Sequence, residues 1–365
     1  MTREIARCRM ALPGGALLAV ALSGAALAPA SALTASAAAA SLQYHITQRV
    51  ALPGDEGWDD LTFEQGGERL FISHGSEVLV VNTRALKVVG TIADTPGVHG
   101  IALAPELGRG YISAGRANKI VVFDLKSLAR TTEIKSTGEN PDAIIYDPFS
   151  ARVFAFNGRG RNMTAIDAKT DTVVGTLPLD AKPEFAVSDG KGRIYVNLED
   201  KNSLAAIDPK LLRVVTVWPL SGCEEPSGLA LDAAGKRLFA GCDNKVMVAL
   251  DATSGRILRS APIGDGVDGA RYDPALHLAF ASCGEGVLTV VKAETGTGGA
   301  PEVVQSLVTE RGARTMTLDE RGHRVFLVTA SFGPPPAATA DHPHPRPAIL
   351  PGTFRLLVAE PGRSP

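Results

Sequence analysis

Seven positions recur along the chain at intervals of about 42 residues and hold Asp59, His99, Asp142, Glu184, Ser227, Asp268 and Arg314. Five of them carry carboxylate or imidazole groups suited to acid/base or ligand roles, and the residue type changes from one position to the next. A column that served only packing would tend to repeat one type. Asp59, Asp142, Glu184 and Asp268 would supply hard oxygen ligands for Ca²⁺ or Mg²⁺. Beside such an ion, His99 or His74 would act as general base, and Arg314 would stabilise developing anionic charge. Carboxylates crowded at a low-dielectric opening would alternatively share protons, or pair with Arg314 and His99. In a purely structural role they would pair with Arg314, Arg116 and Arg159 and hold loops in place.

Each of these positions is the second residue of one copy of a repeated unit, and the copies start at Trp58, Val98, Pro141, Pro183, Pro226, Val267 and Ala313. Each unit contains four short strand patterns separated by turn signals, the content of one β-propeller blade. A single blade cannot bury both faces, so stacked copies are required. The expected fold is all-β, a seven-bladed propeller, with each start forming an inner strand and the seven positions ringing one mouth of the channel. Loops between second and third strands bring His74, Arg116, Asn157, Arg159, Asn197, Glu199 and Asp200 to the same face, with Trp58, Asp60, Glu224 and Glu225 flanking the ring.

In blade two the expected strands are Ile101–Ala104, Tyr111–Ser113, Ile120–Phe123 and Arg130–Ile134. Asp124 closes the third of these, as Asp167, Asp208 and Asp251 do in later blades, where a carboxylate bonds the amides of the following turn. That is a structural role. The last repeat runs through Thr315–Leu318 and Val325–Thr329 to Arg355–Val358 and lacks a fourth strand, which Ile46–Leu52 can supply from the other end of the chain. Such closure removes the exposed edges. Blade seven also carries a proline-rich insert, Gly333–Pro351, which must be a loop on the mouth face, a lid or a flap. Its Asp341, His342 and His344 are metal-ligand types, but the prolines argue against a preformed site.

The composition sets the setting. Residues 1–40 read as a signal peptide and linker: a basic stretch, an apolar run broken by Gly and Pro, then Ala28-Pro29-Ala30 and Ala35-Ser36-Ala37 as cleavage sites. Residues 41–365 then form a single domain, periplasmic or secreted, monomeric and without a membrane span. Export permits disulfides. Cys223, in the loop leading into blade five, and Cys242, between that blade's second and third strands, share a face and can bridge; Cys283 is a competing partner or a free thiol. A net charge of −2 gives no global pull on nucleic acid, and 5% aromatic content leaves few stacking platforms for single strands. A basic patch of Arg116, Lys119, Arg159 and Arg161 is the feature that could still contact it. The absence of Cys-x-x-Cys-His excludes covalent c-type haem, and two tryptophans offer a quinone little platform.

Segments such as RLFIS, VLVVNTRALKVVGTI and AIDAKTDTVVGTLPL make the chain resemble the YVTN-repeat propellers of the YncE type, over nearly all of residues 44–360. TPGVHGIALAPELGRGY, GENPDAIIYDP and KPEFAVSDGKGRIYVN look like one exported bacterial subgroup. The resemblance implies a seven-bladed ring and a periplasmic or secreted location, and little about chemistry. Asn82 in place of the usual Asp and a weakened turn around Lys292–Pro301 depart from the pattern. Three functions remain open: a scaffold binding a small polar ligand or a protein partner through the mouth, a metal-assisted hydrolase, lactonase or lyase, and nucleic-acid binding.

Overall fold

A computed structural model describes residues 42–293, 302–337 and 347–363. The expected signal peptide and the Asp341, His342 and His344 cluster lie outside them. The described chain forms seven four-stranded antiparallel sheets, each one blade of a closed propeller. Six blades are continuous in sequence, from inner to outer strand; blade one, for example, comprises Trp58–Phe63, Arg69–His74, Glu77–Asn82 and Lys87–Ile92.

Burial along each strand explains its residue pattern. The two middle strands of a blade are covered on both faces by neighbouring blades, so Arg152–Asn157 and Glu77–Asn82 are buried along nearly their whole length. Outer strands keep one face in water, and Arg213–Pro219 accordingly alternates exposed and half-buried residues. Large side chains fill the spaces between sheets: Phe71 packs on Phe123 across blades one and two at a centroid distance of 5.8 Å. Tyr111 and Tyr195 donate from buried hydroxyls to the carbonyls of Ala168 and Ala252, in the outer turns of the next blades.

The third-strand acids act as turn formers. Asp124 Oδ1 accepts from the amides of Lys126 and Ser127, Asp167 from Lys169 and Thr170, and Asp251 from Thr253 and Ser254. Asn82, the departure from the repeat, makes the same two bonds to Arg84 and Ala85. Its amide oxygen accepts as a carboxylate oxygen does, so the substitution leaves the turn intact.

Closure comes from the N-terminal strand. Leu42–Ala51, longer than the seven residues expected, pairs antiparallel with Arg355–Arg363 and completes the blade of Met316–Asp319 and Arg324–Thr329. Tyr44 is fully buried edge-on against Phe280 of blade six, and the Gln305 side chain both accepts from and donates to the Tyr44 backbone. The ends are therefore locked by side chains as well as by the ladder. No helix among the described residues is long and apolar enough to cross a membrane.

One irregularity repeats. In six blades the register between inner and second strand slips just after the first residue, between Trp58 and Leu61, Val98 and Ile101, Pro141 and Ile144, Pro183 and Ala186, Pro226 and Leu229, and Val267 and Gly269. Bulges of this kind re-aim side chains. The residues inside them are Asp59, His99, Asp142, Glu184, Ser227 and Asp268.

Candidate ligand-binding mouth

The bulges hold their side chains at one end of the channel, where buried hydroxyls clip the backbone. Ser73 Oγ accepts from the Asp59 amide and donates to the Asp60 carbonyl. Ser113 Oγ accepts from the Gly100 amide and donates to the Asp142 carbonyl of the next blade; Ser282 Oγ donates to the Arg314 carbonyl of the next blade and lies 3.3 Å from the Gly269 carbonyl. Thr315 Oγ1 donates to the carbonyl of Asp59.

With the backbone held, the side chains form a chain of polar contacts around most of the ring. Ser227 Oγ donates to Asp268 Oδ1 at 3.0 Å, and Arg314 Nε donates to Asp268 Oδ2 at 2.6 Å. Arg314 also approaches Asp59 Oδ1 at 3.5 Å. His99 Nδ1 lies 2.5 Å from Asp59 Oδ2 and 3.5 Å from Asp142 Oδ1. Six blades are thereby linked. Glu184, from the remaining blade, pairs with Lys182 at 2.8 Å, and Lys182 also holds Glu199. All of the ring's ionisable side chains are partly buried.

Partial desolvation sets their protonation. Burial alone pulls the His99 imidazole down, but its hydrogen bond to Asp59 and the charges of Asp142 and Asp59 outweigh this and hold it up at about 9. Burial pushes Asp142 up to about 7 despite the His99 charge. Glu184 is pushed up to about 8 by burial and by Asp142, against the pull of Lys182. Asp268 is raised by burial, with Arg314 opposing. At neutral pH the ring thus holds an imidazolium, two carboxyls that retain protons in part, and an arginine.

Several sequence-predicted residues are placed elsewhere. His74, Asn157 and Asn197, expected on the mouth surface, are buried at the ends of second strands. His74 stacks on Phe354 at 4.6 Å, Asn157 bonds Ser136, Asn162 and Thr164, and Asn197 donates to the Ser227 and Gly228 carbonyls. Second strands are covered on both faces by neighbouring blades, and these three are therefore packing and backbone-support groups. Trp58 is likewise buried, stacked on Phe354. The four expected metal ligands also divide. Asp59 and Asp142 come together with His99, their ligand atoms all within 4.8 Å, whereas Glu184 goes to Lys182 and Asp268 to Arg314. Of the expected basic patch, Lys119 pairs with Glu133 and Arg161 with Asp200, while Arg116 and Arg159 remain exposed at the rim.

Sequence reading missed Lys182, whose only signal is its place one residue before a blade start. It named Asp60 as a flank of the mouth but missed its pair with Arg271, 3.2 Å away inside the channel. That pair faces a cavity of about 680 Å³ lined mainly by apolar inner-strand residues such as Ile101, Leu103, Ile145 and Val187. Burial pushes Asp60 up to about 6, with Arg271 opposing. Cys223 and Cys242 are joined by a disulfide, and Cys283 is free and buried.

Comparison with known proteins agrees with this geometry. No family model matches the chain. A curated relative, the uncharacterized protein YncE of Escherichia coli O157:H7, is 30% identical over 108 residues, which are 26% of this chain. The chain is a seven-bladed propeller with a partial likeness to YncE. The matched part spans 30% of the length of that relative. Among solved structures, Kuenenia stuttgartiensis hydrazine synthase superposes with a TM-score of 0.66 at 18% identity, over 75% of this chain and 93% of that one. At that identity the likeness is one of fold, and a fold of this kind hosts many functions. The chemistry of this propeller has to be argued from its own mouth.

Proposed function

We propose that the protein is an exported binding scaffold whose mouth recognises a small polar ligand bearing positive charge. One observation carries this reading: four carboxylates, Asp59, Asp142, Glu184 and Asp268, stand at one half-buried mouth against the cationic side chains of Lys182 and Arg314 and the imidazole of His99. A cationic group placed there adds counter-charge to a carboxylate-rich ring and gains a partly desolvated ion pair. Turnover is less well supported. His99, the available histidine, is an imidazolium through neutral pH and its Nδ1 is committed to Asp59, so it accepts no proton. Ser227 Oγ donates to a carboxylate rather than to a base poised to activate it. Export is supported by the basic-then-apolar N-terminal sequence with its Ala-x-Ala sites and by the Cys223–Cys242 bond.

A second reading is favoured by the Asp59, His99 and Asp142 donor set. One nitrogen and two carboxylate oxygens within 4.8 Å fit a divalent cation once His99 has lost its proton. A thermal-shift series separates the two. Methylammonium is expected to raise the melting temperature of the wild type and to leave the Asp142→Asn/Glu184→Gln variant unmoved. A shift produced by Ca²⁺, Mg²⁺, Mn²⁺ or Zn²⁺ alone, and lost in the same variant, moves the assignment to the metal. No shift with either class rejects the mouth as the working site.

A further inference from the structure

On the rim beside His99, blades two and three enclose a cavity of about 330 Å³ whose wall includes His99, Arg116, Asn118, Glu139, Asn140 and Arg159. Arg161, the next arginine along this rim, pairs with Asp200. Arg116 and Arg159 are exposed and, among the described residues, have no ion-pair partner, although Glu139 lines the same cavity. Two unneutralised guanidiniums on one concave site form a receptor for an oxyanion, which they can bind through paired N–H donors.

The cavity is contiguous with the ring. His99 belongs to both: its Nδ1 faces Asp59 and Asp142, while its opposite edge lies over Gly115, where a Cβ would stand 2.7 Å from Nε2 and 2.8 Å from Asn140 Oδ1. Only a residue without a side chain leaves room for that edge. Gly158, next to Arg159, lies beneath Asn140 and Asp142, whose Nδ2 and Oδ2 would each be 3.6 Å from a Cβ there. A molecule lying across His99 therefore meets carboxylates at one end and free guanidiniums at the other.

We propose that this cavity is an anion subsite, and that the ligand of the mouth is a small zwitterion, its ammonium group at the ring and its carboxylate between Arg116 and Arg159. The proposal rests on the cation-binding reading of the mouth and adds the class of molecule. Joining two weak fragments in one ligand makes the second contact intramolecular, so the whole binds more tightly than either part.

Calorimetric titration with a ruler of ω-amino acids (glycine, β-alanine, 4-aminobutyrate and 5-aminovalerate) tests it, with methylammonium, acetate and inorganic phosphate as single-charge probes. At least one amino acid is expected to bind about tenfold tighter than both methylammonium and acetate, a difference of about 1.4 kcal/mol. Arg116→Gln/Arg159→Gln, at exposed positions, should reduce that amino acid to the affinity of methylammonium. Asp142→Asn/Glu184→Gln should reduce it to that of acetate. The proposal is overturned if no amino acid outbinds methylammonium, or if the advantage survives loss of both arginines. Methylammonium binding that still requires Asp142 and Glu184 would then leave the mouth reading standing without the anion subsite. Inorganic phosphate binding tighter than every amino acid, through the same arginines, would also overturn it and assign the cavity to a free oxyanion.

Discussion

Replacing Glu184 by Gln should stabilise the protein progressively as pH rises above about 4.5. Glu184 is drawn from its ordinary 4.5 up to about 8 by burial and by the neighbouring Asp142, with Lys182 offsetting part of the effect. A carboxylate raised in this way binds its proton more tightly in the folded than in the unfolded chain. Wild-type stability therefore falls as pH rises from about 4.5 through about 8. At roughly 1.4 kcal/mol per pKa unit the ceiling on the loss is on the order of 5 kcal/mol. The side chain is 13% exposed, and solvent access with local relaxation brings the expected effect to about 2–4 kcal/mol. Gln is isosteric with the protonated acid and carries no such penalty. Urea midpoints of the two proteins should agree to within about 1 kcal/mol near pH 4.5. They should diverge through neutrality, with the variant ahead by the full amount at pH 9. Cys283, pushed up to about 12, does not titrate in that window. A variant less stable than wild type at pH 9 would show that the Lys182 pair outweighs desolvation; a pH-independent difference would equally refute the argument. Such a carboxylate costs stability where it stands.

The Cys223–Cys242 bond closes a sequence separation of 19 residues, so Cys223→Ala/Cys242→Ala should lose about 3 kcal/mol in a urea melt, and reductant should reproduce the loss in the wild type. Removing residues up to Leu52 should leave the Arg355–Arg363 edge unpaired and empty the Tyr44 site beside Phe280. The expected cost is at least about 3 kcal/mol, the scale of vacating one large aromatic site. Light scattering should then show association through the open edge; a monomer with an unchanged midpoint would mean that the N-terminal strand does not close the ring.

The fold was legible because its signals are local and repeated. The turn acids at Asp124, Asp167, Asp208 and Asp251, the apolar middle strands and the stranded outer strand at the N-terminus all follow from chain-neighbour chemistry and from counting. The site was legible only as a column. That Asp59 and His99 occupy equivalent places could be read from alignment of the repeats, but not that they touch, since each depends on how two blades are set against each other. His74, Asn157 and Asn197 show the opposite failure. They are polar residues beside turns, which reads as surface, yet the pleat turns each into the space between sheets.

What the sequence alone determined is thus the number of blades, their order, the strand that closes them and the residue types gathered at one mouth. Periodicity and turn chemistry are properties of the chain itself, and they specify those features without knowledge of distance. The tertiary structure decided the rest. The bulge at the start of six inner strands re-aims Asp59, His99, Asp142, Glu184, Ser227 and Asp268. Closure of the ring then brings together charges that lie about 40 residues apart or more in sequence. Their protonation and their pairing depend on burial and separation, which vary with distance in space and leave no trace in the order of residues.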